Sequence, residues 1–180
     1  PDKIFIMGHS AGAHLVALVG TDDRRLKALG KDLKIIKGVI PLDTNCYDLT
    51  TFMKETNASV FHDAFGKDPE VWKDASPNAH VAKDKHIPPF LLFVANNVEK
   101  GKRTEKFAKT LKDAGISAKV AYAPEHNHGS LNQTLGKEDE KTTKEIIIFL
   151  NSILGRSTIF ELVYTHDKKF GQATALLDIF

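Results

Sequence analysis

The sequence predicts an α/β fold: a three-layer α/β/α arrangement built around a mostly parallel sheet. Two observations carry this. Short, nearly continuous apolar runs rich in Ile, Val, Leu and Phe alternate with segments whose apolar residues recur at helical spacing. Runs apolar on both faces belong to strands covered from both sides, which is the condition of a parallel sheet between helices. The 180 residues, 42% hydrophobic and 27% charged, have the composition of an ordinary globular domain, which excludes disorder for most of the chain.

In chain order, the first strand is expected over Lys3–Met7, entering the turn Gly8-His9-Ser10-Ala11-Gly12. The apolar Ala13, Leu15, Val16, Ala17, Leu18 and Val19 then make a buried helix. A second strand, Lys37–Leu42, ends beside Asp43. From Tyr47 to His86 the pattern is mixed, with a helix around Leu49–Lys54, a break at Gly66-Lys67-Asp68-Pro69 and a short helix from Glu70. Pro88-Pro89 introduces the third strand, Phe90–Val94. Phe107, Ala108, Leu111 and Ala114 define a helix over Glu105–Ala114 closed by Gly115. The fourth strand is Ala118–Tyr122. A loop through His126-Asn127-His128 leads to an amphipathic helix over Lys141–Leu154 with Ile146, Phe149, Leu150 and Ile153 on one face. Residues 1–154 form one unit in this reading, and 155–180 read as a tail or the start of a further unit.

Twenty-five basic and 23 acidic residues are scattered without a dense basic run, so nothing points to nucleic acid or a membrane surface. The longest apolar stretches are far short of the roughly 18 residues of a membrane span, so a soluble protein is expected. The single Cys46 cannot close an internal disulfide, which leans toward a reducing, cytoplasmic setting and leaves the compartment open.

Gly8-x-Ser10-x-Gly12 lies directly between a strand and a helix, the setting of a nucleophile elbow. Such a turn strains the serine backbone and stands its hydroxyl above the sheet, and the flanking glycines let strand and helix pack closely. The helix N-terminus aims amides at a developing oxyanion, with the Ala11 N–H the expected donor. A serine hydroxyl needs a base, and chain order on this type of fold is serine, acid, histidine. His126 and His128 lie in the short loop after the fourth strand, and His128 is the expected base. His9 and His14, which flank Ser10, read as packing residues. His126-x-His128 lacks a cysteine or acidic cluster to complete a metal site, so no metal or other cofactor is expected. Trp72 reads as packing, with lining a substrate pocket as the alternative.

Three segments resemble one family. Gly8-His9-Ser10-Ala11-Gly12-Ala13-His14, Phe65-Gly66-Lys67-Asp68-Pro69-Glu70-Val71-Trp72 with Ala75-Ser76-Pro77, and Asn127-His128-Gly129-Ser130-Leu131-Asn132 are similar to the esterase/lipase group of α/β-hydrolases, nearest to kynurenine formamidase-like and bacterial carboxylesterase members. The resemblance covers about residues 1–154. It implies hydrolysis of a small-molecule carboxylic ester through an acyl-serine, with His128 as general base; an amide or formamide hydrolase and a non-catalytic hydrolase-like scaffold are the alternatives. The family's acid, an aspartate after the third strand, falls at Asn96, which holds no charge. Glu99, three residues on, is the favoured substitute, and Asp43 at the end of the second strand is another candidate.

The chain opens on the strand that resembles the family's fifth. The earlier strands, and the loop that supplies a second oxyanion amide, are absent from it, so the sequence reads as the C-terminal half of the fold. The elbow strand is then an exposed apolar edge, and self-association through it is expected.

Overall fold

The computed structural model describes residues 3–137 and 140–155, and the backbone of 165–166 and 173–174. Four strands, β1 (Ile4–His9), β2 (Ile36–Leu42), β3 (Phe90–Ala95) and β4 (Ala118–Ala123), lie side by side in chain order, and every pairing is parallel. Register runs across the sheet from Met7 beside Ile40 to Leu42 beside Phe93 and Phe93 beside Ala121. All four C-terminal ends therefore finish along one edge. β1 is the outer strand, with β2 as its only partner among the described residues.

The strands are apolar on both faces because both faces are covered. On one, Phe90 and Leu92 join Val39 and Ile36 beneath α1 (Ala11–Thr21) and α6 (Val98–Asp113), where Ala17, Phe107, Ala108 and Leu111 are buried. On the other, Leu91 and Phe93 join Ile40 and Leu42 beneath α7 (His128–Gln133) and α8 (Lys141–Leu154), which contribute Leu131, Ile146 and Leu150. Successive side chains of a strand point to opposite faces, so one six-residue strand feeds two cores. Each fully buried side chain of this size contributes about 1.5–3 kcal/mol. This is the expected α/β architecture, with strand boundaries within two residues of the sequence reading.

Helices differ more. The five-residue α2 (Asp23–Lys27) is polar apart from Leu26, and α4 (Ser59–Phe65) is two turns long, too short for a periodicity to stand out. Between β2 and β3, α3 (Leu49–Glu55), α4 and α5 (Pro69–Asp74) close over a satellite core of Cys46, Leu49, Phe52 and Met53, with Phe61, Phe65, Trp72 and Ala75 packed against it. Trp72 donates from its indole N–H to the Gly66 carbonyl. α6 begins at Val98, seven residues before the expected start at Glu105, because the Asn97 side chain caps it by accepting the Lys100 amide. The loop expected after His126 instead turns at once into α7, started by a capping box between Asn127 and Ser130.

The expected unit at 155–180 lies largely outside the described residues, in which β5 (Thr165–His166) and β6 (Ala173–Thr174) pair antiparallel. No helix among the described residues is long and apolar enough to cross a membrane.

Candidate active site

The C-terminal edge of the sheet gathers the chemistry, each strand end delivering one piece. After β1 the chain turns through Ser10 at φ 59°, ψ −115°, a backbone conformation that L-residues rarely adopt, and the Ser10 amide donates to the Leu42 carbonyl at the end of β2. Gly8 is required here, since a Cβ would run into the Gly12 carbonyl. Gly12 is not, because a Cβ there meets nothing within 4 Å among the described residues. The expectation that both glycines are needed for close packing thus holds on the strand side alone. Ala11 opens α1, so its amide is among the first-turn N–H groups that have no carbonyl partner within the helix.

His128 arrives from the loop after β4. Its Nε2 accepts from the Ser10 hydroxyl at 3.0 Å, and its Nδ1 donates to Asp43 Oδ2 at 2.5 Å, a pairing that defines the ring tautomer. The loop is held by the capping box at Asn127, by the Asn96 amide donating to the His126 carbonyl, and by a bond between the largely buried His126 ring and the Glu140 carboxylate at 3.0 Å. Glu140 also caps α8 through the amides of Thr142 and Thr143. Burial pushes its pKa up, but these amides and His126 more than offset that and hold it below the usual value.

The carboxylate at His128 is Asp43, and this corrects the choice of Glu99. Asp43 directly follows β2 at φ 59°, with its amide donating to the Phe93 carbonyl and its Oδ1 accepting the Ala95 amide at 3.0 Å. Its side chain is 1% exposed. Burial raises its pKa, but bonds from Lys100, His128 and the Ala95 amide outweigh that and hold it below the ordinary carboxylate range. Glu99 is in the first turn of α6, 66% exposed, bound to Lys102 at 2.7 Å. One residue is 100° around a helix, so Glu99 and its neighbour Lys100 face different ways. It is Lys100 that turns inward: its Nζ donates to Asp43 Oδ2 at 2.5 Å and lies 3.1 Å from His128 Nδ1. Asn96, at the family's acid position, is exposed and contributes its backbone to the His126 loop.

The sequence marks His9 as a packing residue and carries no signal at Lys100. The His9 ring packs on the His128 ring, centroids 4.4 Å apart, and its Nε2 donates to the His128 carbonyl at 2.7 Å. Burial is the main influence holding the His9 pKa below its usual value. Nothing local in the sequence signals either contact, because both bring residues across different strand ends. His14 packs as expected, donating to the Ala75 carbonyl at 2.7 Å against Phe65. Among the described residues no three His, Cys, Asp or Glu side chains cluster as metal ligands. A cleft of about 210 Å³ between the segment after β2 and α6, lined in part by Asn45, Tyr47 and Arg103, does not include Ser10 or His128.

A family model described as BD-FAE matches residues 1–100, more than half of the chain. The apo form of esterase 2 from Thermogutta terrifontis is 26% identical, with a TM-score of 0.61 over 85% of this chain and 56% of that one. A truncated carbohydrate esterase from gut microbiota is 21% identical, with a TM-score of 0.66 over 87% of this chain and 61% of that one. One of two prolyl endopeptidases shares the fold at 19% identity and a TM-score of 0.62, over 86% of this chain and 21% of that one. The chain thus spans little more than half the length of the esterases it resembles. No curated protein sequence matches it.

Proposed function

The chain belongs to the BD-FAE family, and from that premise we propose that it carries the catalytic half of a serine hydrolase that cleaves carboxylic esters through an acyl-Ser10 intermediate. The observation that carries the reading is the continuous relay Ser10 Oγ to His128 Nε2, His128 Nδ1 to Asp43, with links of 3.0 and 2.5 Å. The two esterase neighbours support the substrate class by likeness.

In this mechanism His128 Nε2 takes the Ser10 proton as Oγ bonds to the ester carbonyl carbon. The carbonyl π electrons move to oxygen, and the Ala11 amide donates to the resulting oxyanion. As the tetrahedral centre collapses, the alkoxide leaves with the proton returned by His128, giving alcohol and acyl-Ser10. Water then attacks the acyl group with His128 again as base, releasing the acid and restoring Ser10. Asp43 keeps the Nδ1–H tautomer, which leaves the Nε2 lone pair facing Ser10, and stabilises the imidazolium. The alternative of a scaffold that has lost its acid drew on Asn96; a buried carboxylate against His128 argues against it.

Labelling with a fluorophosphonate probe, followed by mass spectrometry, tests the reading. An adduct on Ser10 that disappears in Ser10→Ala and His128→Asn is the expected result. Absence of an adduct on Ser10 in the full-length protein would sink it.

A further inference from the structure

The acid of the site serves two partners at one oxygen. Asp43 Oδ2 accepts from His128 Nδ1 and from Lys100 Nζ, each at 2.5 Å, and the two nitrogens are 3.1 Å apart. Lys100 is 13% exposed and His128 46%. We propose that Lys100 is a positioning residue for the ester hydrolysis assigned to Ser10, its ammonium sharing Asp43 Oδ2 with His128 and making protonation of His128 harder. This rests on the reading of His128 as the base.

A buried carboxylate beside a neutral histidine is an uncompensated charge, and desolvation disfavours it. Lys100 removes that cost by keeping Asp43 paired throughout the cycle. The same ammonium stands next to the ring that must become an imidazolium, and like charges at this distance oppose one another. A site with Asp43 alone would hold a proton on His128 to higher pH, where the ring no longer acts as a base. Lys100 therefore extends working activity toward acid, at some loss of imidazolium stabilisation.

Among the described residues, Asp43 is the carboxylate paired with Lys100. From the segment after β2, Cys46 and Tyr47 face the pair, and burial pushes both of their pKa values up, toward the neutral forms. From the elbow comes His9, bonded to the His128 carbonyl. On α6 itself, Glu99 is bound to Lys102 and Arg103 to Glu55, while the Thr104 hydroxyl donates to the Lys100 carbonyl. The Asn97 cap sets the first turn of α6 so that its third residue points back across the strand ends at Asp43.

The test follows the His128 ring by NMR titration in the full-length protein, its resonances assigned by their loss in His128→Asn, and in parallel the pH dependence of Ser10 labelling by the fluorophosphonate. Lys100→Met and Lys100→Gln should move the ring midpoint and the acid limb of labelling upward by about one pH unit, the order expected for removing one adjacent like charge. Lys100→Arg, which keeps the charge, should stay with the wild type. Circular dichroism checks folding, and Lys100→Gln carries the test if the Met variant does not fold. A midpoint unmoved in a folded neutral variant, or moved equally in Lys100→Arg, overturns the proposal and leaves Lys100 a structural ion pair. If wild-type Ser10 fails to label, the hydrolase reading fails by itself, and the ring titration still decides what Lys100 does.

Discussion

Replacing Asp43 with asparagine separates the carboxylate that bonds His128 from the acid expected at Glu99. The amide oxygen can still accept the Ala95 N–H, as Oδ1 does now. Its NH2 group then occupies the place of Oδ2 and meets two donors, His128 Nδ1 and Lys100 Nζ. The ring escapes that clash by moving its proton to Nε2, which turns a donor rather than a lone pair toward Ser10. The same loss of tautomer in a well-studied serine protease lowers kcat about 10⁴-fold, or about 5 kcal/mol of barrier at 1.36 kcal/mol per tenfold. Stability should fall too, because Lys100 is left without its counter-charge. Breaking a buried ion pair costs about 3–5 kcal/mol, and the partial exposure of Lys100 places the loss near the lower figure. At an m-value of about 2 kcal/mol/M, that lowers the urea midpoint by about 1.5 M. The assay is p-nitrophenyl acetate hydrolysis beside urea unfolding of the full-length protein, with Glu99→Gln alongside. Among the described residues the exposed Glu99 carboxylate bonds Lys102, whereas His128 Nδ1 bonds Asp43, so the Glu99 variant should keep wild-type kcat and lie within about 0.5 kcal/mol in stability. An Asp43→Asn enzyme that retains a tenth of its activity, or a Glu99→Gln enzyme that loses as much, would refute the assignment of the acid.

Two further variants probe the frame that holds the site. Gly8→Ala should destabilise by about 2 kcal/mol through its collision with the Gly12 carbonyl, about 4–8 °C in Tm for a chain of this size. It should also abolish Ser10 labelling, whereas Gly12→Ala should leave Tm unchanged or slightly higher, and equal effects of the two would contradict the one-sided packing. Glu140→Gln tests the tie to His126. Its folded pKa is depressed, so its stabilisation is present above the unfolded value of 4.5 and is lost as pH falls through the lower folded value. The variant should therefore be less stable by about 1 kcal/mol at pH 7, the usual worth of an N-cap. Urea melts at pH 3 should show that gap narrowing, and a gap that is constant with pH would exclude the carboxylate as its source.

The sequence by itself determined the sheet. Phe90–Ala95, introduced by Pro88-Pro89, reads as a strand covered on both faces, and the strand, turn and helix around Ser10 are specified by adjacent residues, so local pattern was enough for fold class and the turn at Ser10, and it singled out the His128 whose ring lies 3.0 Å from Ser10 Oγ. The boundaries of α6 and α7 were less legible, since they are set by side-chain caps at Asn97 and Asn127 and not by periodicity. The carboxylate that meets His128 comes from the three-dimensional packing. Glu99 is nearer the family's position in sequence, but the cap at Asn97 fixes a helical phase that turns Glu99 to solvent and Lys100 to the site. Asp43, 85 residues from His128, becomes its partner because parallel register brings the ends of β2 and β3 to one edge, where the Phe93 carbonyl and the Ala95 amide hold its backbone and carboxylate in place. A contact of that kind depends on the register of strands and the phase of a helix, and neither is written in the residues that make it.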